Sequence, residues 1–191
     1  MLDYRLAPEA RYPSAIEDAL AAYCFLLGIH LDPSIGIKSR GSMPPFSKAC
    51  QKVMIMGDSS GGCLALQLLH TLRTIGLPMP IGAVLMSPFV DNDLKSESWH
   101  LNWNSDFMSL DVHGIKWAIS IYANGTPFED SILSPINMDL TSFPPLLIQA
   151  GDSEVVLNDA ERLHQRAAGY KVVSELQIFT DMFHVFQGMP N

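Results

Sequence analysis

Hydrophobic residues along the chain fall into two alternating patterns. Short, wholly apolar runs occur at 53–56 (Val-Met-Ile-Met), at 82–86 (Gly-Ala-Val-Leu-Met) and at 146–148 (Leu-Leu-Ile). Runs this short and this apolar predict strands buried on both faces, and residues 175–179 predict a fourth. Between the runs lie longer stretches with helical spacing. Ile16, Leu20, Tyr23 and Leu27 recur at three- and four-residue steps and predict a helix over 13–27 that ends at Gly28. Residues 63–72 are rich in helix formers ahead of a stop at Ile75-Gly76-Leu77-Pro78, and 157–168 predict a third helix. Strands separated by helices predict an α/β fold, with a mostly parallel sheet and helices on both faces.

The remaining stretches are less regular. Residues 1–9 read as the end of a strand entering a proline-bearing turn. Residues 32–49 carry Pro33, Gly36, Gly41, Pro44 and Pro45 and predict a loop facing water. From 91 to 123 the chain is helical in patches and holds Trp99, Trp103 and Trp117. Trp99 and Trp103, with Phe107 and Met108, read either as plain core or as the lining of a substrate pocket.

Composition narrows the function. With 191 residues the chain is expected to form one domain, 1–191, large enough to bury a core. The net charge of −8 is spread along the chain without a basic stripe, which argues against nucleic acid and anionic membranes as partners. No apolar run reaches the length of a membrane span, and no secretory leader pattern is visible. Cys24, Cys50 and Cys63 show no metal-like spacing. Cys24 and Cys63 fall in apolar helical stretches and read as free buried thiols, and the odd count fits a reducing, cytoplasmic setting. Asn124-Gly125-Thr126 is a glycosylation pattern that matters only in a secreted protein. No cofactor or metal is expected, and oligomeric state is not legible.

The candidate chemistry lies in Gly57-Asp58-Ser59-Ser60-Gly61-Gly62, between the predicted strand 53–56 and the predicted helix 63–72. A serine in Gly-x-Ser-x-Gly at a strand-to-helix turn sits in strained geometry, with its hydroxyl lifted above the sheet near the positive end of the helix. Side chains at the two flanking positions would clash with strand and helix, so glycine is expected at both. The Ser60 N–H then faces the place where an oxyanion would form.

Serine needs a base, and imidazole titrates near neutrality. Of six histidines, His70 and His164 lie in predicted helices, His30 at the start of a loop, and His100 and His113 in the patchy region. Only His184 directly follows a strand and a turn. After the third strand, Gly151-Asp152-Ser153-Glu154 offers two carboxylates, either able to orient the ring. Asp159 reads as serving the N-terminal turn of its own helix. In parallel sheets chemistry gathers at the C-terminal strand ends, and serine–acid–histidine is a known chain order for a triad.

At this point the residues resemble the hormone-sensitive-lipase-like branch of the α/β-hydrolases, the α/β-hydrolase fold-3 esterases. Asp3-Tyr4-Arg5-Leu6-Ala7-Pro8-Glu9, Gly57-Asp58-Ser59-Ser60-Gly61-Gly62, Pro144-Pro145-Leu146-Leu147-Ile148-Gln149 and Phe183-His184-Val185-Phe186 carry the resemblance, in order along the chain. It implies a carboxylic-ester hydrolase acting on a small-molecule ester through an acyl-enzyme, with Ser59 as nucleophile and His184 as base. The family's register selects Glu154 over Asp152 as the acid, although Asn158 departs from an acidic residue usual there.

The resemblance also implies a His-Gly-Gly-Gly-type oxyanion segment, first strands and cap helices upstream of residue 1. The chain is therefore expected to be a truncated hydrolase. Loss of one oxyanion donor is worth roughly 3–4 kcal/mol, about two to three decades in rate. Weak ester turnover and poor folding are the expectation. The competing readings are a receptor-like homologue without catalysis, disfavoured by His184, and a non-functional fragment.

Overall fold

A computed structural model describes residues 1–29, 53–106 and 112–189. The predicted loop 32–49, with His30, Cys50, Phe107 and Met108, lies outside the described residues. Four strands form one sheet: β1 (Met54–Asp58), β2 (Gly82–Met86), β3 (Leu146–Gly151) and β4 (Ser174–Phe179). They run parallel in the order β1-β2-β3-β4. The helices are α1 (Ser14–Leu26), α2 (Ser60–Ile75), a single turn α3 (Ser98–Leu101), α4 (Val112–Ala123) and α5 (Leu157–Gly169). Gly76, with φ +72°, closes α2 in the left-handed conformation glycine favours.

The register explains the core. Ala83 and Leu85 of β2 lie beside Leu146 and Ile148 of β3, so these side chains share one face. Leu66 and Leu69 of α2 and Ala160, Leu163 and Ala167 of α5 pack on that same face. Leu66, Leu69, Leu85, Ile148 and Leu163 are fully buried, each worth about 1.5–3 kcal/mol. Helix α1 packs on the outside of α2 through Ile16, Leu20, Tyr23 and Leu27.

Among the described residues, α2 and α5 cover the same face of the sheet. The opposite face carries Met54, Met56, Val84, Met86 and Leu147, apolar residues that are exposed or half-buried. Run composition is blind to this, because it registers apolar character and not what covers it. The expected strand before Pro8 is absent: residues 1–6 form no ladder. The Arg5 N–H instead donates to Asp18 Oδ2 at 2.9 Å, and its guanidinium pairs with Asp18 Oδ1 at 2.8 Å on α1.

Candidate active site

The elbow is built as the local pattern requires, with one exchange of roles. Ser59 has φ 51° and ψ −119°, a conformation few side-chain-bearing residues adopt. It is held there because its N–H donates to Met86 O at 2.9 Å, while its carbonyl accepts the Phe89 N–H at 3.1 Å. A Cβ on Gly57 would lie 2.1 Å from the Gly61 carbonyl oxygen, so glycine is required there. At Gly61 a Cβ would meet only Asp58 Oδ1, at 3.9 Å. The tight second position is Gly62, whose Cβ would come within 3.0 Å of Pro88. The chain leaving β2, and not the helix, sets the second close approach.

The three strand ends converge on Ser59. Its hydroxyl lies 2.8 Å from His184 Nε2, and His184 Nδ1 lies 3.1 Å from Glu154 Oε2. With Nδ1 against a carboxylate, the ring proton sits on Nδ1 and Nε2 is left to accept from the serine. His184 is 4% exposed and Glu154 wholly buried. Glu154 Oε1 accepts from Ser87 Oγ at 2.7 Å and from the Gly151 N–H at 2.6 Å, so the buried carboxylate is fully solvated by protein.

Asp152, the other carboxylate of this turn, faces away. Its Oδ1 accepts the Asp181 N–H at 2.8 Å, which ties the turn carrying Glu154 to the turn carrying His184. The two turns are also joined by Ser153 N–H to Met182 O at 3.2 Å. They pass so closely that a Cβ on Gly151 would lie 2.1 Å from Met182 O.

Asp159 differs from its expected role. It is wholly buried, and its Oδ2 accepts the N–H groups of Val90 and Asp91 at 2.9 and 3.0 Å, while Oδ1 accepts from Ser96 Oγ. Burial pushes its carboxyl up to about 6, against the pull of these donors. The residue serves the loop after β2, because α5 starts directly beneath that loop.

Ser60 opens α2, where the first N–H groups have no acceptor within the helix. An apolar cavity of about 260 Å³ lies beside it, lined by Tyr4, Leu6, Ser60, Phe89, Ile119 and Tyr122 among others. Trp99 does not line it; the ring is 1% exposed and packs with Ile115, Ile119, Val155 and Val156 as core. Ser87 and Asp106, which contact the turns carrying Glu154 and His184, stand in no recognisable motif and carry no signal in the sequence. Burial raises the Cys63 thiol to about 12, which leaves it an inert neighbour of the cavity. Among the described residues no helix is long and apolar enough to cross a membrane.

Residues 1–188 match a family described as alpha/beta hydrolase fold. The chain is 35% identical to an acetyl-hydrolase of Streptomyces hygroscopicus and 33% identical to an esterase of Acinetobacter venetianus, in each case over 97% of this chain and 56% of the relative. Among solved structures, an esterase from the bacterial hormone-sensitive lipase family superposes with a TM-score of 0.82 at 35% identity, covering 97% of this chain and 56% of that one. EstE5, in crystals soaked with p-nitrophenyl butyrate, gives 0.80 at 38% identity over 96% and 56%. The chain thus spans little more than half the length of the proteins it matches.

Proposed function

The chain belongs to the alpha/beta hydrolase fold family, and from that premise we propose that it hydrolyses small carboxylic esters, with Ser59 as nucleophile, His184 as base and Glu154 as the acid behind the ring. The single observation that carries this reading is the unbroken chain of contacts from Ser59 Oγ through His184 to Glu154, at 2.8 and 3.1 Å.

The chemistry follows from the contacts. His184 Nε2 takes the hydroxyl proton as Ser59 Oγ attacks the ester carbonyl carbon, and Glu154 holds the opposite ring N–H and stabilises the imidazolium. Negative charge gathers on the former carbonyl oxygen, which the Ser60 N–H at the positive end of α2 stabilises in this reading. Collapse of the tetrahedral intermediate breaks the bond to the alcohol, which leaves with the proton from Nε2. Water then repeats the sequence on the acyl-enzyme and restores the serine. The apolar cavity beside Ser60 suits a short to medium acyl or alkyl group.

The net charge of −8 supports a small-molecule substrate over nucleic acid. Cys24 and Cys63, both free and buried, support a reducing, cytoplasmic setting. The test is labelling of the purified chain with a fluorophosphonate probe, alongside turnover of p-nitrophenyl butyrate. Mass spectrometry is expected to find the adduct on Ser59 and to lose it in Ser59→Ala. A folded chain that takes no label would refute the hydrolase reading.

A further inference from the structure

We infer that Ser87 and Asp106 are positioning residues, two buried side chains from the chain between β2 and α4 that lock the acid-bearing turn to the base-bearing turn. The inference rests on the triad reading above. Ser87, wholly buried, follows β2 directly and donates its N–H to Gln149 O on β3 at 2.7 Å. Its hydroxyl uses both of its capacities: it donates to Glu154 Oε1 at 2.7 Å and accepts the Val185 N–H at 3.1 Å. Asp106, 3% exposed, makes the complementary bridge. Its Oδ2 accepts the Val155 N–H at 2.9 Å and its Oδ1 accepts the His184 N–H at 3.4 Å. Each side chain therefore spans from position 154 or 155 to position 184 or 185.

Two features show why such bridges matter for the chemistry. A glutamate has one more rotatable bond than an aspartate, so its carboxylate reaches the ring in one orientation only if something else fixes it. The donors on Oε1 from Ser87 and Gly151 do that, leaving Oε2 for His184. The conformations also point to imposed geometry. Ser87 has φ +47° and Val185 φ +57°, a left-handed region that both a buried serine and a β-branched valine disfavour. The bond between these two residues holds both turns where the imidazole meets Ser59.

The experiment compares Ser87→Ala, Ser87→Gly and Asp106→Ala in the purified chain. It reads the maximal rate and half-saturation of fluorophosphonate labelling at Ser59, the thermal midpoint, and the far-downfield proton resonance of the His184 Nδ1–H. Losing a hydrogen bond to a charged group at a reacting centre is expected to slow maximal labelling by about 10- to 100-fold in both Ser87 variants, with half-saturation unchanged. Ser87→Gly relieves the positive φ and should be at least as stable as Ser87→Ala, so rate and stability part company. The downfield resonance should weaken or vanish in both. Asp106→Ala should slow labelling as well, with the same unchanged half-saturation. Wild-type rates in both Ser87 variants, or a loss that recovers in step with stability in the glycine variant, would overturn the inference while leaving the triad standing. A folded wild-type chain that fails to label removes the triad reading and this inference together.

Discussion

Glu154 and Asp159 stand five positions apart, both wholly buried and both surrounded by donors, yet they face different partners. Glu154 lies in the turn after β3 and turns one oxygen to an imidazole. Asp159 lies in the first turn of α5 and turns both oxygens to two backbone N–H groups and a serine hydroxyl of the loop after β2. Arg162, the nearby cation, pairs with Asp91 at 2.6 Å instead. Burial and hydrogen bonding are therefore shared by the two sites and do not tell them apart. What separates them is the kind of partner: of the two, Glu154 alone hydrogen-bonds an imidazole.

The sharpest way to break this comparison is to remove each charge in turn. Glu154→Gln should lower ester turnover and Ser59 labelling by about four decades, since an amide cannot hold the ring in the required protonation state. A loss of less than tenfold would remove Glu154 from the acid role. Asp159→Ala should do the reverse, leaving three donors buried without an acceptor. Urea unfolding at about pH 4 should show a destabilisation on the order of 3 kcal/mol, with a smaller loss of labelling per folded molecule.

The same pair can be separated by pH. Asp159 is held at about 6 in the folded chain, above the value near 3.9 expected unfolded, so folding favours its protonated form. Its contribution is fully present below about pH 4 and is lost as pH rises through about 6, a change on the order of 2–3 kcal/mol. The stability gap between wild type and Asp159→Ala should narrow across that window, and a gap that widens would reverse the sign. The smallest effect is expected at Asp152, half-buried and bonded to Asp181 N–H. Asp152→Asn should cost less than about 1 kcal/mol and change turnover little. A loss comparable with that of Glu154→Gln would transfer the acid role to Asp152.

Much of this site is legible before folding is considered, and the illegible parts share one cause. Ser59 and His184 each follow a predicted strand and a turn, so position in the chain is enough to nominate them. Which of Glu154 and Asp152 contacts the imidazole does not follow from their position alone, because both follow β3 within a few residues; Glu154 Oε2 lies 3.1 Å from His184 Nδ1, while Asp152 Oδ1 accepts the Asp181 N–H. Asp159 reads as a helix-terminal acid until α5 is seen to lie under the loop after β2. Gly61 looks like the necessary second glycine, but Pro88, a distant residue in the chain, makes Gly62 the crowded one. Ser87 and Asp106 have no local signature at all.

Taken alone, the sequence determines the alternation of strand and helix and the sharp turn at Ser59, because hydrophobic period and close backbone approach are encoded within a few neighbouring residues. The tertiary structure decides which helix covers which face, which carboxylate meets the imidazole, and which side chains hold the two turns together. Those choices depend on parallel pairing of β2, β3 and β4, which brings residues near 87, 154 and 184 to one edge of the sheet. No local spacing carries a distance across strands.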